Sequence, residues 1–351
     1  MKENILVINP GSTSTKIAIF NQEGKEIFKE TISHSAEELS QFKFLLEQGP
    51  VRKKIILDTL KKKNVDTDSL KAIIGRGGVL KPLKALKDCY NFGFGEGILV
   101  GDKAEIEKSI SLLGESNFVK EIIEAKDDLE KARLSVERVK EGGTLLKGKI
   151  KTATLLKAVL NKEWGLRTDK IVSDVFIFED KREGNSKFVL MSDGGINLKP
   201  DVKTLVAIIN NAVEVACKLG IKTPKVALLA AVETINPDME ETIKAGMISK
   251  MNERKQITGC IIDGPLALDN AISEFAAQKK GITSPVAGKA DILIVPDIAA
   301  GNIFGKALTY YANYQTGHTL VGTKAPVIIP SRADKSDVKL NCIALSILCS
   351  K

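Results

Sequence analysis

Residues 188–230 read FVLMSDGGINLKPDVKTLVAIINNAVEVACKLGIKTPKVALLA, and this stretch decides the fold class. An apolar strand run at 188–191 is followed by helical periodicity over 200–219 and by a second strand run at 225–230. Pro200 stands where the helix should begin, because proline is compatible with the first helical turn. Strand and helix patterns of this kind alternate along the whole chain, which predicts an α/β protein with a largely parallel sheet.

The same patterns predict ten strands and eight helices. The strands are expected at 5–8, 16–20, 72–74, 98–100, 172–178, 188–191, 225–230, 259–262, 292–295 and 326–329. The helices are expected at 36–46, 51–62, 128–140, 152–160, 200–219, 238–250, 302–311 and 334–348. Two segments interrupt the pattern. We expect a glycine-rich hinge at 83–97 and a polar hairpin loop at 181–186.

The composition is typical of a globular protein. A chain of 351 residues, 43% hydrophobic and 27% charged, suits two or three lobes with filled cores. No apolar run is long enough to cross a bilayer and no leader cleavage site is present, so we expect a cytoplasmic protein. Five widely spaced cysteines and two histidines argue against disulfides and against a metal site.

The net charge of +8 is unevenly distributed. Residues 1–84 carry 15 basic and 10 acidic side chains. A basic surface suits phosphate-rich small molecules as well as nucleic acid. Four tyrosines and one tryptophan offer no obvious stacking platform for bases. We therefore expect small-molecule partners, and neither nucleic acid nor a membrane.

A polar turn, NPGSTSTK at residues 9–16, separates the first two predicted strands. Such a turn can present backbone N–H groups and hydroxyls to phosphate oxygens, and it can equally be a plain β-turn without a ligand. Together with HSAEE at 34–38 and GRGGVLKP at 75–82, it resembles the start of the butyrate and acetate kinase family. The resemblance implies an amino-terminal ribonuclease-H-like kinase fragment over residues 1–84. It also implies contacts to the phosphoryl group from Asn9, Ser12, Ser14 and Lys16, and to the acid substrate from Arg76.

The kinase resemblance ends near Leu83, at a boundary that we call the seam. No counterpart of the catalytic carboxylate, further charged groups and adenine pocket of such kinases follows it. Phosphoryl transfer depends on positioning and on neutralising charge from both sides of the phosphate. We therefore expect no kinase activity from this piece.

The rest of the chain, from about residue 85 to 351, has a different character. Its motifs, in order, are ILVGD at 98–102, KG at 147–148, TAT at 152–154, NKEWGLRT at 161–168, VETINP at 232–237, GCIIDGPLALD at 259–269, VAGKAD at 286–291, PDIAAGN at 296–302, VGTKAP at 321–326 and SRADKSD at 331–337. This series resembles the phosphate acetyl/butyryltransferase family. The resemblance implies a two-lobed, three-layer fold like that of isocitrate and isopropylmalate dehydrogenases. Lobe 1 would comprise 85–165 with 318–351, and lobe 2 would comprise 166–317.

The implied reaction is exchange of a short-chain acyl group, butyryl by resemblance, between coenzyme A and inorganic phosphate. Coenzyme A is then a substrate that brings its own thiol, and no metal is required. A thiol needs a base within reach, and the charge that develops on the carbonyl and on phosphate needs donors. The resemblance assigns Ser331 to the thiol or carbonyl, Arg332 to phosphate and Asp337 to the base. Asp334 competes for that last role, and helix capping is the alternative for Ser331 and both aspartates.

Four further residues are candidate substrate-binding groups. Thr152 and Thr154 can donate to phosphate at a helix start or cap that helix. Arg167 can bind phosphate with two parallel hydrogen bonds or form a surface ion pair. Asn302 follows a glycine at the predicted start of a helix, where it can bind phosphate or act as a cap.

Family members ordinarily begin with a strand and a helix ahead of the ILVGD motif, and here kinase-like sequence stands in their place. Either the kinase-like strands dock in the vacancy, or the first lobe is loosened and activity is reduced. A homo-oligomer is expected from the resemblance. The alternatives are a short-chain acid (butyrate) kinase, favoured by residues 1–84, and a non-catalytic chimeric binding protein.

Overall fold

The structure is a computed structural model. It describes residues 4–10, 14–21, 23, 25–35, 48–63, 65, 70–75, 81–182, 186–331 and 334–350. The chain separates into two compact units, one of residues 1–84 with 104–114 and one of residues 85–103 with 115–351. No helix in the described ranges is both long and apolar enough to cross a membrane.

Within residues 1–84, the described part of the first unit is a four-stranded sheet and a helix. Its elements are β1 (Asn4–Pro10), β2 (Ser14–Phe20), β3 (Glu26–Ser33), α1 (Gly49–Lys62) and β4 (Leu70–Gly75). The strand order is β3-β2-β1-β4, with β1 parallel to β4 and the other pairs antiparallel. Leu6, Ile17 and Ile19 of the sheet pack with Ile56 and Leu60 of α1.

The sequence did not predict β3, because its charged residues leave alternate positions exposed and weaken the apolar pattern. The helix predicted at 36–46 lies outside the described residues. Among the described strands, β1 and β2 pair with each other, with β3 and with β4. Whether the kinase-like strands dock in the vacancy or the first lobe is loosened stays a prediction.

The seam contains a helix rather than a hinge. The second unit opens within α2 (Lys81–Asn91) and continues with β5 (Gly97–Gly101) and β6 (Val119–Glu124). Between these two strands, α3 (Lys103–Ser111) belongs to the first unit from residue 104. Ala85 and Cys89, one helical turn apart, are buried with Ile328 and Cys342. The prediction of a hinge over 83–97 is therefore wrong for residues up to 91, and only 92–96 form a turn. β5 and β6 are parallel and make a two-stranded sheet.

The main sheet of the second unit has eight strands. They are β7 (Leu145–Leu146), β8 (Ser173–Asp180), β9 (Lys187–Ser192), β10 (Lys225–Leu229), β11 (Ile261–Leu266), β12 (Ile292–Ile294), β13 (Thr316–Val321) and β14 (Val327–Ile328). The order is β11-β10-β12-β9-β8-β13-β14-β7. Strands β11, β10, β12 and β9 are parallel, whereas β8 runs antiparallel to both β9 and β13.

The sheet is therefore mixed: β11, β10, β12 and β9 have the predicted parallel character, β14 and β7 form a further parallel pair, and β8 and β13 introduce antiparallel pairs. The hairpin predicted around 181–186 is confirmed, since β8 and β9 pair from Phe176 with Met191 to Asp180 with Lys187. The sequence did not predict β13, whose residues TGHTLV are mostly small or polar. One continuous sheet contains strands from both predicted lobes, and the division into lobes stays a prediction.

Helices cover both faces of this sheet. They are α4 (Asp128–Val139), α5 (Thr152–Val159), α6 (Val202–Lys218), α7 (Glu240–Glu253), α8 (Leu268–Ile272), α9 (Glu274–Lys279), α10 (Ile298–Tyr310) and α11 (Ser336–Ser350). Successive strand residues point to opposite faces. Val175 and Ile177 accordingly pack with Ile208 of α6, while Phe178 packs with Leu308 of α10.

Candidate active site

The parallel strands β9, β10 and β12 end at one edge of the main sheet, where α/β proteins bind their ligands. The loop after β9 is organised by a buried carboxylate. Asp193 Oδ1 accepts from the backbone N–H of Gly195 at 2.9 Å and of Ile196 at 3.1 Å, and Oδ2 accepts from that of Asn197 at 3.1 Å. Burial, with a contribution from the nearby Asp174 carboxylate, raises the pKa of Asp193.

The loop after β9 and the first turns of α10 touch through two glycines. A Cβ on Gly194 would lie 3.0 Å from the carbonyl carbon of Gly301. A Cβ on Gly301 would lie 2.7 Å from the Cα of Gly194. The N–H of Ile298 also donates to the carbonyl oxygen of Leu198 at 3.1 Å. These contacts hold the amino-terminal end of α10 against the loop.

Asn302 lies beside this loop, although not where the sequence predicted it. α10 begins at Ile298, and its cap is Asp297, whose carboxylate accepts from the N–H of Ala300 at 2.8 Å. Asn302 is one turn further along, exposed, with its side-chain amide 3.5 Å from the carbonyl oxygen of Gly194. Both the predicted helix start at 302 and the capping alternative for Asn302 are therefore wrong.

A histidine–aspartate pair lies on two neighbouring strands of the sheet. His318 Nδ1 of β13 donates to Asp174 Oδ1 of β8 at 3.1 Å. Gly195 leaves room for this carboxylate, because a Cβ there would lie 2.6 Å from Asp174 Oδ2. Burial opposes protonation of His318, yet the charge and hydrogen bond of Asp174 raise its pKa on balance.

Sequence reasoning missed Asp174, Asp193 and His318. The only local signal was the SDGGIN segment, in which a carboxylate and two glycines follow a buried strand. The pairing of Asp174 with His318 has no sequence signal at all, since it arises from the register of β8 with β13.

The turn that contains Ser331 follows β14. The N–H of Ser331 donates to Asp334 Oδ2 at 2.7 Å, and the N–H of Asp334 donates to the carbonyl oxygen of Ser331 at 3.2 Å. Arg332 lies outside the described residues. Because α11 begins at Ser336, neither Ser331 nor Asp334 caps it, and the capping alternative is wrong for both.

Asp337 occupies the first turn of α11 and is exposed. Its Oδ1 accepts from the N–H of Val338 at 2.9 Å. A carboxylate at this end of a helix is favoured by the helix dipole. The two competing aspartates thus differ: Asp334 closes the turn, and Asp337 presents its carboxylate to solvent.

The remaining predicted binding residues are exposed or half-buried. α5 begins at Thr152 after an N-cap, Lys151, that makes no side-chain capping bond, so capping does not explain Thr152 or Thr154. Arg167 is exposed, pairs through its backbone with Thr323 and makes no ion pair within the part of the chain that the structure describes. Phosphate binding by Arg167 and a surface ion pair both stay predictions.

Comparison with known proteins decides the family. A family model described as phosphate acetyl/butaryl transferase matches residues 119–347. The chain belongs to the phosphate acetyl/butyryltransferase family. It is 45% identical to the phosphate butyryltransferase of Clostridium beijerinckii over 268 residues, which are 76% of this chain and 88% of that protein. It is 46% identical to the phosphate acetyltransferase of Thermotoga maritima over 253 residues, 72% of this chain and 85% of that protein.

A solved structure agrees with this membership. The crystal structure of a branched-chain phosphotransacylase from Enterococcus faecalis V583 superposes with a TM-score of 0.63 at 32% identity, covering 72% of this chain and 97% of that one. The predicted α/β phosphotransacylase fold is confirmed at this level, and the two-lobed, dehydrogenase-like arrangement stays a prediction. As a member of the phosphate acetyl/butyryltransferase family, the chain is a phosphate acyltransferase, as the sequence predicted, and the kinase and non-catalytic alternatives are not favoured.

The kinase-like residues belong to the first unit and stay a prediction. Asn9 and Lys16 are paired positions of the β1–β2 hairpin, and Ser14 begins β2. Ser12 and Arg76 lie outside the described residues, as does the side chain of Asn9. Among residues 81–182, 186–331, 334–350 and the shorter described segments, no group of three acidic, histidine or cysteine side chains is placed to hold a metal ion.

Proposed function

We propose that the chain transfers a short-chain acyl group, butyryl in the first place, between coenzyme A and inorganic phosphate. The observation that supports this most is the 45% identity to a phosphate butyryltransferase over 76% of the chain. The acetyltransferase relative is about equally similar, at 46% over a shorter stretch, so the preference for butyryl rests on the longer match.

In the proposed chemistry, Asp337 accepts the proton of the coenzyme A thiol. The thiolate then attacks the carbonyl carbon of the acyl phosphate, a C–S bond forms, and the C–O bond to phosphate breaks. Ser331 donates to the thiol or to the carbonyl oxygen, and Arg332 binds the departing phosphate. A base is needed because a free thiol is mostly protonated near neutral pH. The exposure of Asp337 at the start of α11 and the hydrogen-bonded position of Asp334 favour Asp337 for this role.

Binding of the phosphate groups is assigned to four exposed or half-buried residues, Thr152, Thr154, Arg167 and Asn302. Arg167 is the strongest candidate, since an exposed guanidinium can bind a phosphate through two parallel hydrogen bonds. Asn302 lies next to the loop after β9, at the edge where the parallel strands end. The amide can therefore contact a ligand without moving α10.

The larger organisation belongs to the same proposal. Lobe 1, of residues 85–165 with 318–351, and lobe 2, of residues 166–317, would form the two-lobed, dehydrogenase-like fold, and the chain would act as a homo-oligomer with acyl-CoA, phosphate and acyl phosphate as its partners. Residues 1–84 would be a kinase-like fragment without phosphoryl transfer of their own.

The test uses the full-length protein with butyryl-CoA and phosphate, and it follows the free thiol with a chromogenic disulfide. We expect thiol release that requires phosphate and that is faster with butyryl-CoA than with acetyl-CoA. ATP with butyrate should give no acyl phosphate in a hydroxamate assay. Thiol release without phosphate, or none with it, would contradict the proposal. The measured kcat also tests the expectation of reduced activity.

A further inference from the structure

Lys339 in the first turns of α11 is buried to 3% exposure, which is unusual for a lysine. Its Nζ donates to the carbonyl oxygen of Asp334 at 2.8 Å and to that of Ser331 at 3.3 Å. An ammonium buried in this way is stabilised by its acceptors, and they in turn are held at fixed positions. Lys339 thus binds both ends of the turn that contains Ser331.

The turn is closed by its own hydrogen bonds as well. The N–H of Ser331 donates to Asp334 Oδ2 at 2.7 Å, and the N–H of Asp334 returns a bond to the carbonyl oxygen of Ser331 at 3.2 Å. In addition, the single ammonium of Lys339 binds the carbonyl oxygens of both residues. The backbone is therefore restrained at Ser331 and at Asp334.

The helix fixes the origin of the Lys339 side chain. The N–H of Lys339 donates to the carbonyl oxygen of Lys335 at 3.3 Å, and the neighbouring Val338 and Cys342 are buried against Ala85 and Ile328. The ammonium consequently extends from a packed helix to a turn outside it. It links the conformation of the turn to the position of α11.

We propose that Lys339 is a positioning residue of the acyltransferase, holding the backbone of Ser331 and Asp334 at fixed positions so that Ser331 is presented to the substrate. The catalytic consequence of this proposal rests on the proposed function, whereas the contacts between Lys339 and the turn are independent of that function. Displacement of a reacting group by roughly 1 Å can cost on the order of 100-fold in rate. A lysine without contact to substrate can therefore control kcat.

The test compares two identical substitutions four residues apart. Lys339→Met removes the donors and keeps an unbranched side chain that is one atom shorter. Lys335→Met is the matched control, because Lys335 is exposed and its side chain faces solvent. Backbone hydrogen exchange of the segment 330–335 is followed by mass spectrometry, together with kcat, the KM for butyryl-CoA and the thermal midpoint.

We expect Lys339→Met to speed exchange of the turn and to lower kcat by roughly 10- to 100-fold with KM changed less than about threefold. Lys335→Met should leave all four quantities near the wild-type values. Wild-type exchange together with wild-type kcat in Lys339→Met would overturn the proposal, as would a loss of activity that matches the unfolded fraction.

Lys339→Gln is the second variant, used if the methionine variant does not fold. It retains an N–H donor without the charge, and we expect turn exchange and kcat between those of the other two proteins. A Lys339→Gln protein identical to wild type in both would overturn the proposal. If the wild-type protein lacks acyl transfer altogether, the proposed function fails, and the exchange comparison still decides whether Lys339 holds the turn.

Discussion

Replacement of Gly301 by alanine tests whether the close contact between α10 and the loop after β9 is required. The new Cβ would lie 2.7 Å from the Cα of Gly194 and 3.0 Å from both the carbonyl oxygen of Asp193 and a methyl carbon of Val295. Carbon atoms normally approach to about 3.5–4.0 Å, so the loop and helix must separate by roughly 1 Å. Two of these three neighbours are backbone atoms, which cannot rotate away.

Gly305→Ala in the same helix is the matched control. Its Cβ would meet the nearest atoms, in Phe176 and Met191, at 3.5 Å or more, which is ordinary contact. Both substitutions gain the same helix propensity, about 1 kcal/mol. Only Gly301→Ala adds overpacking, which costs about 1–3 kcal/mol. We therefore expect the free energy of unfolding of Gly301→Ala to be lower than that of Gly305→Ala by about 1–3 kcal/mol.

The same displacement should reach the site, because Asn302 follows Gly301 directly and its amide faces Gly194. We expect kcat/KM for butyryl-CoA to fall by roughly 10- to 100-fold in Gly301→Ala and to stay near wild type in Gly305→Ala. Urea unfolding and steady-state thiol release measure the two effects. Equal stability and equal activity of the two variants would refute the steric reasoning, and a destabilised but fully active Gly301→Ala would refute its link to the site.

Three further predictions follow from the site. Asp174 raises the pKa of His318 in the folded protein, so protonation of His318 stabilises the fold at a pH below the ordinary pKa of imidazole, and this stabilisation is lost as the pH rises through the folded-state pKa. The urea midpoint should therefore fall more steeply from pH 5 to 9 in the wild-type protein than in His318→Gln. Parallel curves for the two proteins would contradict this. Asp337→Asn should lower kcat by roughly 100-fold or more with little change in thermal midpoint, because it removes the base. Asp334→Asn should instead lower the thermal midpoint, because the Asp334 carboxylate accepts a hydrogen bond from a backbone N–H. The reverse pattern would make Asp334 the base. Arg167→Ala should raise the KM for coenzyme A or phosphate. It should not lower stability, because no described residue forms an ion pair with Arg167. An unchanged KM would remove Arg167 from the binding site.

The sequence predicted those elements whose apolar pattern is strong. The strands β8, β9 and β10 and the helix α6 all lie within a few residues of their predicted bounds, because their buried faces are continuous. β13 was missed because its residues TGHTLV combine small and polar side chains, although Thr316, Thr319 and Leu320 are buried. Helix α2 was not predicted because the glycines at 93, 95 and 97, which follow it directly, interrupt the helical pattern.

The candidate site was predicted unevenly for a physical reason. Ser331 and Asp337 belong to one short sequence motif, so both could be selected as candidates from local sequence. The pairs Asp174 with His318 and Gly194 with Gly301 join residues more than 100 positions apart, and only strand register and helix docking bring them together. Lys339 lies two residues beyond the SRADKSD motif, and burial rather than residue type distinguishes it from the exposed Lys335.

The most direct test of the central claim is phosphate-dependent thiol release from butyryl-CoA by the full-length protein, measured beside Ser331→Ala. We predict release that saturates with phosphate in the wild-type protein and a rate reduced by roughly 100-fold or more in the variant, because a preorganised donor to developing charge is lost. A wild-type protein that releases no thiol when phosphate is added, or a Ser331→Ala protein as active as wild type, would contradict the assignment of this site.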